Sequence, residues 1–172
     1  REVISNRIRS GKLPESARVN TAGTPRQNRN YFWYRKTFKP SVHKAVAILR
    51  IGKAQFGTAV WLNGKKIGEY AGCFSAGIFN LSAAIQWDRE NELLVRVGAH
   101  PAVLPDSYPT GTDFEKLKWT PGIYDEVSLL LSDNPVIETV QVAPQLATSE
   151  ILVETKIKNF GDAQTITLAQ TV

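Results

Sequence analysis

Apolar and polar positions alternate with a period of two through much of this chain, in runs that are short. In residues 44–51, Val46, Ile48 and Arg50 fall on one side and Ala47, Leu49 and Ile51 on the other, the two-faced pattern of a β-strand. Thr58-Ala59-Val60-Trp61-Leu62-Asn63-Gly64-Lys65-Lys66-Ile67-Gly68 reads as strand, two-residue turn, strand. Asn63-Gly64 suits a type I′ turn, whose two central residues both need φ > 0, a conformation that Gly and Asn reach at low cost. Residues 31–38, Tyr-Phe-Trp-Tyr-Arg-Lys-Thr-Phe, are aromatic-rich, as a strand packed on one face should be. Residues 78–81, 92–97 and 123–131 supply more strands. No stretch sustains a helical period over about twelve residues, and 82–87 amounts to one short turn. Many short strands separated by Gly, Pro and Asn predict an all-β, antiparallel sandwich.

The two ends read differently. Residues 1–30 are rich in Arg, Asn, Ser, Thr, Gly and Pro without a sustained period, which predicts an extended arm laid over the domain. Asp133-Asn134-Pro135 is a break, since Pro135 has no N–H to give to a ladder. Residues 136–143, 151–157 and 164–172 then predict three strands, fewer than the roughly seven of an independent sandwich. The sequence thus divides into 1–133 and 136–172.

Composition narrows the class. With 172 residues, a 42% hydrophobic fraction and four Trp, a buried core is expected. No apolar run approaches the ~18 residues of a membrane span. One cysteine, Cys73, excludes an internal disulfide and a cysteine-based zinc cluster. The chain contains no Met and opens without an apolar leader segment, so it is expected to be a piece of a longer polypeptide. The net charge of +5 is uneven: residues 1–40 hold ten Lys and Arg against two Glu. These cations are scattered rather than clustered with aromatics, so nucleic acid is not an expected partner.

Several segments, taken in order, resemble the N-terminal part of family 2 glycoside hydrolases, the β-galactosidase, β-mannosidase and β-glucuronidase group. Tyr34-Arg35-Lys36-Thr37-Phe38 looks like the opening strand of that family. Val60-Trp61-Leu62-Asn63-Gly64 with Gly68 looks like its hairpin, and Gly72 to Leu81 like its glycine-led segment. Asn91-Glu92-Leu93-Leu94-Val95-Arg96-Val97 and Gly122-Ile123-Tyr124-Asp125-Glu126-Val127-Ser128-Leu129 look like its two later strands. Gly72-Cys73, Asn80, Ala99 and Asp125 depart from the family pattern without breaking a strand. The resemblance implies a galactose-binding-like jelly-roll sandwich over 1–133 and the first strands of an immunoglobulin-like β-sandwich over 136–172. It also implies a TIM barrel elsewhere that carries the catalytic acid and nucleophile. Retaining glycoside chemistry needs two carboxyls about 5 Å apart, and no alternating strand–helix barrel pattern occurs in these residues.

No catalytic residue is therefore assigned, and neither a cofactor nor a metal is expected. His43 and His100 stand 57 positions apart with no acidic partner pattern. Loop 100–121 carries the best candidates for substrate contact, because loops this long inside a compact domain are usually functional. Asp113 and Glu115 could accept hydrogen bonds from sugar hydroxyls, and Trp119 could offer a ring face to a sugar. Trp33, Trp61 and Trp87 read as core or rim residues rather than a sugar platform. The expected function is an accessory, sugar-binding region of a glycoside hydrolase, inactive alone and reaching a carbohydrate jointly with the barrel. A free-standing carbohydrate-binding module and a structural or protein-interaction sandwich are the alternatives. Similar bacterial enzymes imply a periplasmic or secreted location. Uncovered strand edges in 136–172 predict partial disorder or strand-mediated self-association.

Overall fold

The computed structural model describes residues 7–18, 31–98 and 122–171. Two antiparallel sheets face each other. The larger has the order β1 (Tyr31–Phe38), β7 (Asn91–Gly98), β4 (Thr58–Leu62), β5 (Lys65–Tyr70). The smaller has the order β6 (Gly77–Asn80), β2 (Val46–Ile51), β9 (Val127–Ser132). A short pair, β3 (Ala54–Gln55) with β8 (Gly122–Ile123), lies beside them. The hairpin of β10 (Val136–Gln145) and β11 (Glu150–Lys158) forms a separate sheet.

Alternation explains the core. Val60 and Leu62 of β4 and Leu93, Val95 and Val97 of β7 point inward from the larger sheet. They form one buried cluster with Ala47, Leu49 and Ile51 of β2 and Phe79 of β6. Each such aliphatic or aromatic side chain gains about 1.5–3 kcal/mol from burial. The cluster spans both sheets, so the all-β sandwich expected from the sequence is the architecture found.

The turn at Asn63-Gly64 has φ of 51° and 79°, as a type I′ hairpin requires. Asn63 does a second job. Its Oδ1 accepts from Glu92 N at 2.9 Å, and its Nδ2 donates to Asn91 Oδ1 at 2.8 Å. Asn91 is fully buried and uses all its polar capacity: Oδ1 also accepts from Gln86 N at 2.7 Å, and Nδ2 donates to Gln86 O at 2.8 Å and Arg89 O at 3.1 Å. The hairpin tip is thereby tied to β7 and to the loop after β6. A bulge between Val60 and Trp61 leaves Ile67 without a partner in the ladder.

Several expectations are corrected. The single strand expected over 123–131 is two, β8 and β9, interrupted at Tyr124, Asp125 and Glu126. There the chain leaves β3 for β2, and Glu126 O accepts from Gly52 N at 2.8 Å. Residues 164–171 form no strand, since no neighbouring strand exchanges ladder bonds with them. Of the expected arm, the described residues turn rather than extend: residues 7–9 are helical and Glu15–Arg18 is one 3₁₀ turn. Both sides of β2 carry buried residues. Val46 and Ile48 are buried against Val136, with Phe160 packed on the same small cluster.

Candidate functional site

Asp113, Glu115 and Trp119, the substrate-contact candidates of the sequence, lie outside the described residues, as does His100. Among the described residues no group of three or more His, Cys, Asp or Glu could hold a metal. His43 stacks on Trp87, ring centroids 4.7 Å apart, and Trp87 packs against the main core. No helix among the described residues is long and apolar enough to cross a membrane.

The described chemistry concentrates on the outer face of the four-stranded sheet. Ladder register builds it row by row. Trp33 of β1 is paired with Arg96 of β7, Arg96 with Ala59 of β4, and Ala59 with Glu69 of β5. The next row runs Arg35, Leu94, Trp61, Lys66. Small Ala59 leaves room above it, and the indoles of Trp33 and Trp61 meet across the rows, centroids 5.3 Å apart and planes tilted by 41°. The Arg96 guanidinium lies over the Tyr31 ring at 4.6 Å and the Trp61 ring at 5.6 Å, contacts of the cation–π kind. Lys66 Nζ sits 5.9 Å from the centre of the Trp61 ring.

The bulge makes this arrangement. Lys66 and Glu69 are three residues apart, a spacing that strict alternation would put on opposite faces. With Ile67 out of the ladder both face outward, and Lys66 Nζ reaches Glu69 Oε1 at 2.7 Å. That hydrogen bond, with the charges of Lys66 and Arg96, holds the Glu69 carboxyl below its ordinary value despite partial burial. Arg35 pairs with Glu92. Arg96 Nη2 is 3.4 Å from Glu69 Oε1, while its Nε is buried without a hydrogen-bond partner among the described residues. The face therefore combines two ring planes with donors and acceptors already held in place. Trp33, on the edge strand β1, is 57% exposed at the rim of the sheet. Tyr31 to Tyr34 is aromatic on both faces, so the period alone could not choose the outward one.

A second cluster surrounds the loop after β5. Gly72 packs closely there, and a Cβ would press on the Tyr70 ring and make it shift. Tyr70 and Ser75 share a hydrogen bond, and Tyr124 Oη donates to Cys73 O, with the Cys73 side chain buried. Burial raises the Tyr124 phenol above its usual value, with the nearby Cys73 and Asp125 adding to the shift. These contacts tie a loop down rather than open a cleft.

Residues 7–100 match the model of the β-galactosidase second all-β domain. That match covers more than half of the chain, which belongs to this family. Among solved structures, a presumed β-galactosidase from Bacteroides fragilis is similar at 26% identity and a TM-score of 0.62, over 77% of this chain and 21% of that one. A β-glycosidase from Bacteroides vulgatus is 21% identical with a TM-score of 0.58, over 77% and 17%. A β-D-glucuronidase of Dictyoglomus thermophilum is 20% identical with a TM-score of 0.56, over 77% and 26%. The latter two likenesses concern the fold alone. The chain thus spans a quarter or less of most of these proteins, and no curated protein matches it.

Proposed function

We propose that this chain is a non-catalytic accessory region of a glycoside hydrolase whose bond-cleaving carboxylates lie in another part of the polypeptide. The observation that carries the reading is the family match over residues 7–100. The two-sheet sandwich supports it, and so does the small share of each similar structure that the chain spans. In the finer form of the proposal, residues 1–133 are a galactose-binding-like jelly roll and 136–172 begin an immunoglobulin-like sandwich. Asp113, Glu115 and Trp119 then extend toward the substrate, and the parent enzyme works in the periplasm or outside the cell.

The chain alone is expected to release 4-nitrophenol from aryl β-galactosides, β-mannosides and β-glucuronides no faster than buffer. Turnover at rates typical of an enzyme would overturn the proposal. In the full-length polypeptide, Trp119→Ala is expected to raise KM more than it lowers kcat, as loss of a substrate contact should. In isolation, the exposed hairpin β10–β11 is expected to drive concentration-dependent association, read by sedimentation.

A further inference from the structure

We propose that the outer face of the β1-β7-β4-β5 sheet is itself a binding surface for a neutral carbohydrate. Trp33 is its stacking plane, and Arg96, Glu69 and Glu92 are its hydroxyl partners. This surface requires no barrel and none of the loop residues 100–121, so it goes beyond the accessory role.

A pyranose is amphipathic. Its ring C–H groups make an apolar face, and its hydroxyls radiate near the plane of the ring. A matching protein surface needs an exposed flat ring with fixed hydrogen-bonding groups around it, and the outer face has both. Trp33 is more than half exposed. Its indole is steadied by Trp61 at 5.3 Å and rises from a strand hydrogen-bonded along its whole length to β7. Little ordering cost therefore remains for a ligand to meet. Arg96, the direct cross-strand neighbour of Trp33, is held by ring faces rather than saturated with hydrogen bonds. Its donors and the Glu69 carboxylate give a donor and an acceptor one and three strands from the ring.

Charge decides between ligand classes. Three cations, Arg35, Lys66 and Arg96, stand with two carboxylates, Glu69 and Glu92, and each carboxylate is already paired. A face so nearly balanced gives little attraction to a polyanion such as nucleic acid or a sulfated glycan. A protein interface is the other candidate occupant. The cores of such interfaces are depleted in charged residues. Here Arg96 and Lys66 sit in the same rows as the indoles, not at a distant rim. Ionised groups interleaved with rings suit a wet, hydroxyl-rich ligand.

The test titrates the chain with lactose, xylotetraose, cellotetraose, mannotetraose and glucuronic acid, reading tryptophan fluorescence and calorimetric heat. At least one neutral oligosaccharide is expected to saturate at millimolar concentration or below, with little dependence on salt. Trp33→Ala is expected to weaken that binding by about tenfold or more, equivalent to ~1.4 kcal/mol. Trp33→Tyr keeps a ring and should retain most of the affinity, and it serves as the probe should the alanine variant lose cooperative unfolding. Phe74→Ala, at a residue 77% exposed on the loop after β5, should change nothing. Absence of saturable binding to every neutral sugar would overturn the proposal. So would binding that Trp33→Ala leaves intact, or a Trp33→Ala effect confined to self-association. None of these outcomes bears on the aryl-glycoside assay, so the accessory role stands or falls separately.

Discussion

β2 and β10 are both alternating strands with full ladders on at least one side, yet their environments are opposite. Five of the six β2 residues are buried, whereas in β10 only Val136 is. The difference is the presence of a second layer. β2 has the larger sheet over one face and Val136 with Phe160 over part of the other. The hairpin β10–β11 leaves Ile137, Val140, Val142 and Ile151 about half exposed. A register shift after Ile137 keeps Ile137 and Val140 on one face, so the apolar stripe is continuous. Backbone pairing alone makes a strand, and burial of its stripe makes it stable. The sandwich has both and the hairpin has the first, so mutations should separate the two.

The widest separation is expected from matched core and hairpin truncations. Phe79→Ala, at 4% exposure, should cost about 3–5 kcal/mol in denaturant unfolding. Val142→Ala, at 60% exposure, should stay within about 0.5 kcal/mol. Equal losses would break the comparison. Asn91→Ala comes next, at about 3 kcal/mol, because it strands the buried partners at Gln86 and Asn63. Val136→Ala sharpens the boundary between the two regions. Removing two buried carbons should cost about 1.5 kcal/mol and speed proteolysis of the hairpin if Val136 anchors it to β2. Gly64→Ala should cost about 1 kcal/mol, since φ of 79° strains an L side chain although open space surrounds it.

The smallest effect expected is on the acid limb of stability. Lys66 holds Glu69 below its ordinary 4.5. Its contribution is therefore present above pH 4.5 and disappears as pH falls through the lower folded value. Glu69→Gln should flatten that part of the unfolding-versus-pH curve. Glu138→Gln is the hairpin counterpart, since Lys156 lowers Glu138 in the same way. An equal or larger effect there would show that the sandwich face gives its ion pair no shelter.

Sequence alone carried most of the sandwich. Alternation in 46–51 sorted β2 into its two sides, and Asn63-Gly64 gave the turn. Those features are local, and a strand period or a positive φ is written in a few adjacent residues. What escaped depended on distant partners. Val46 and Ile48 find cover in Val136 and Phe160, about 90 and 110 residues away. The division at Tyr124 to Glu126 follows from a change of partner strand, which composition does not mark. The outward Trp33 was hidden because Tyr31 to Tyr34 has no polar face. Within that platform Arg96 was read only as one letter of a strand, although its place between aromatic positions of two neighbouring strands becomes visible once register is known.

The unpaired Ile67 has a consequence for how this domain tolerates changes in length. Its neighbours already keep their inside-outside order when it is skipped, so losing one codon there would leave Lys66 and Glu69 still looking out and Tyr70 still looking in. A codon lost at Val95, midway along a strand paired on both sides, would instead turn the rest of that strand inside out. Members of this family can therefore be expected to differ by a residue at the first position and to hold their count at the second.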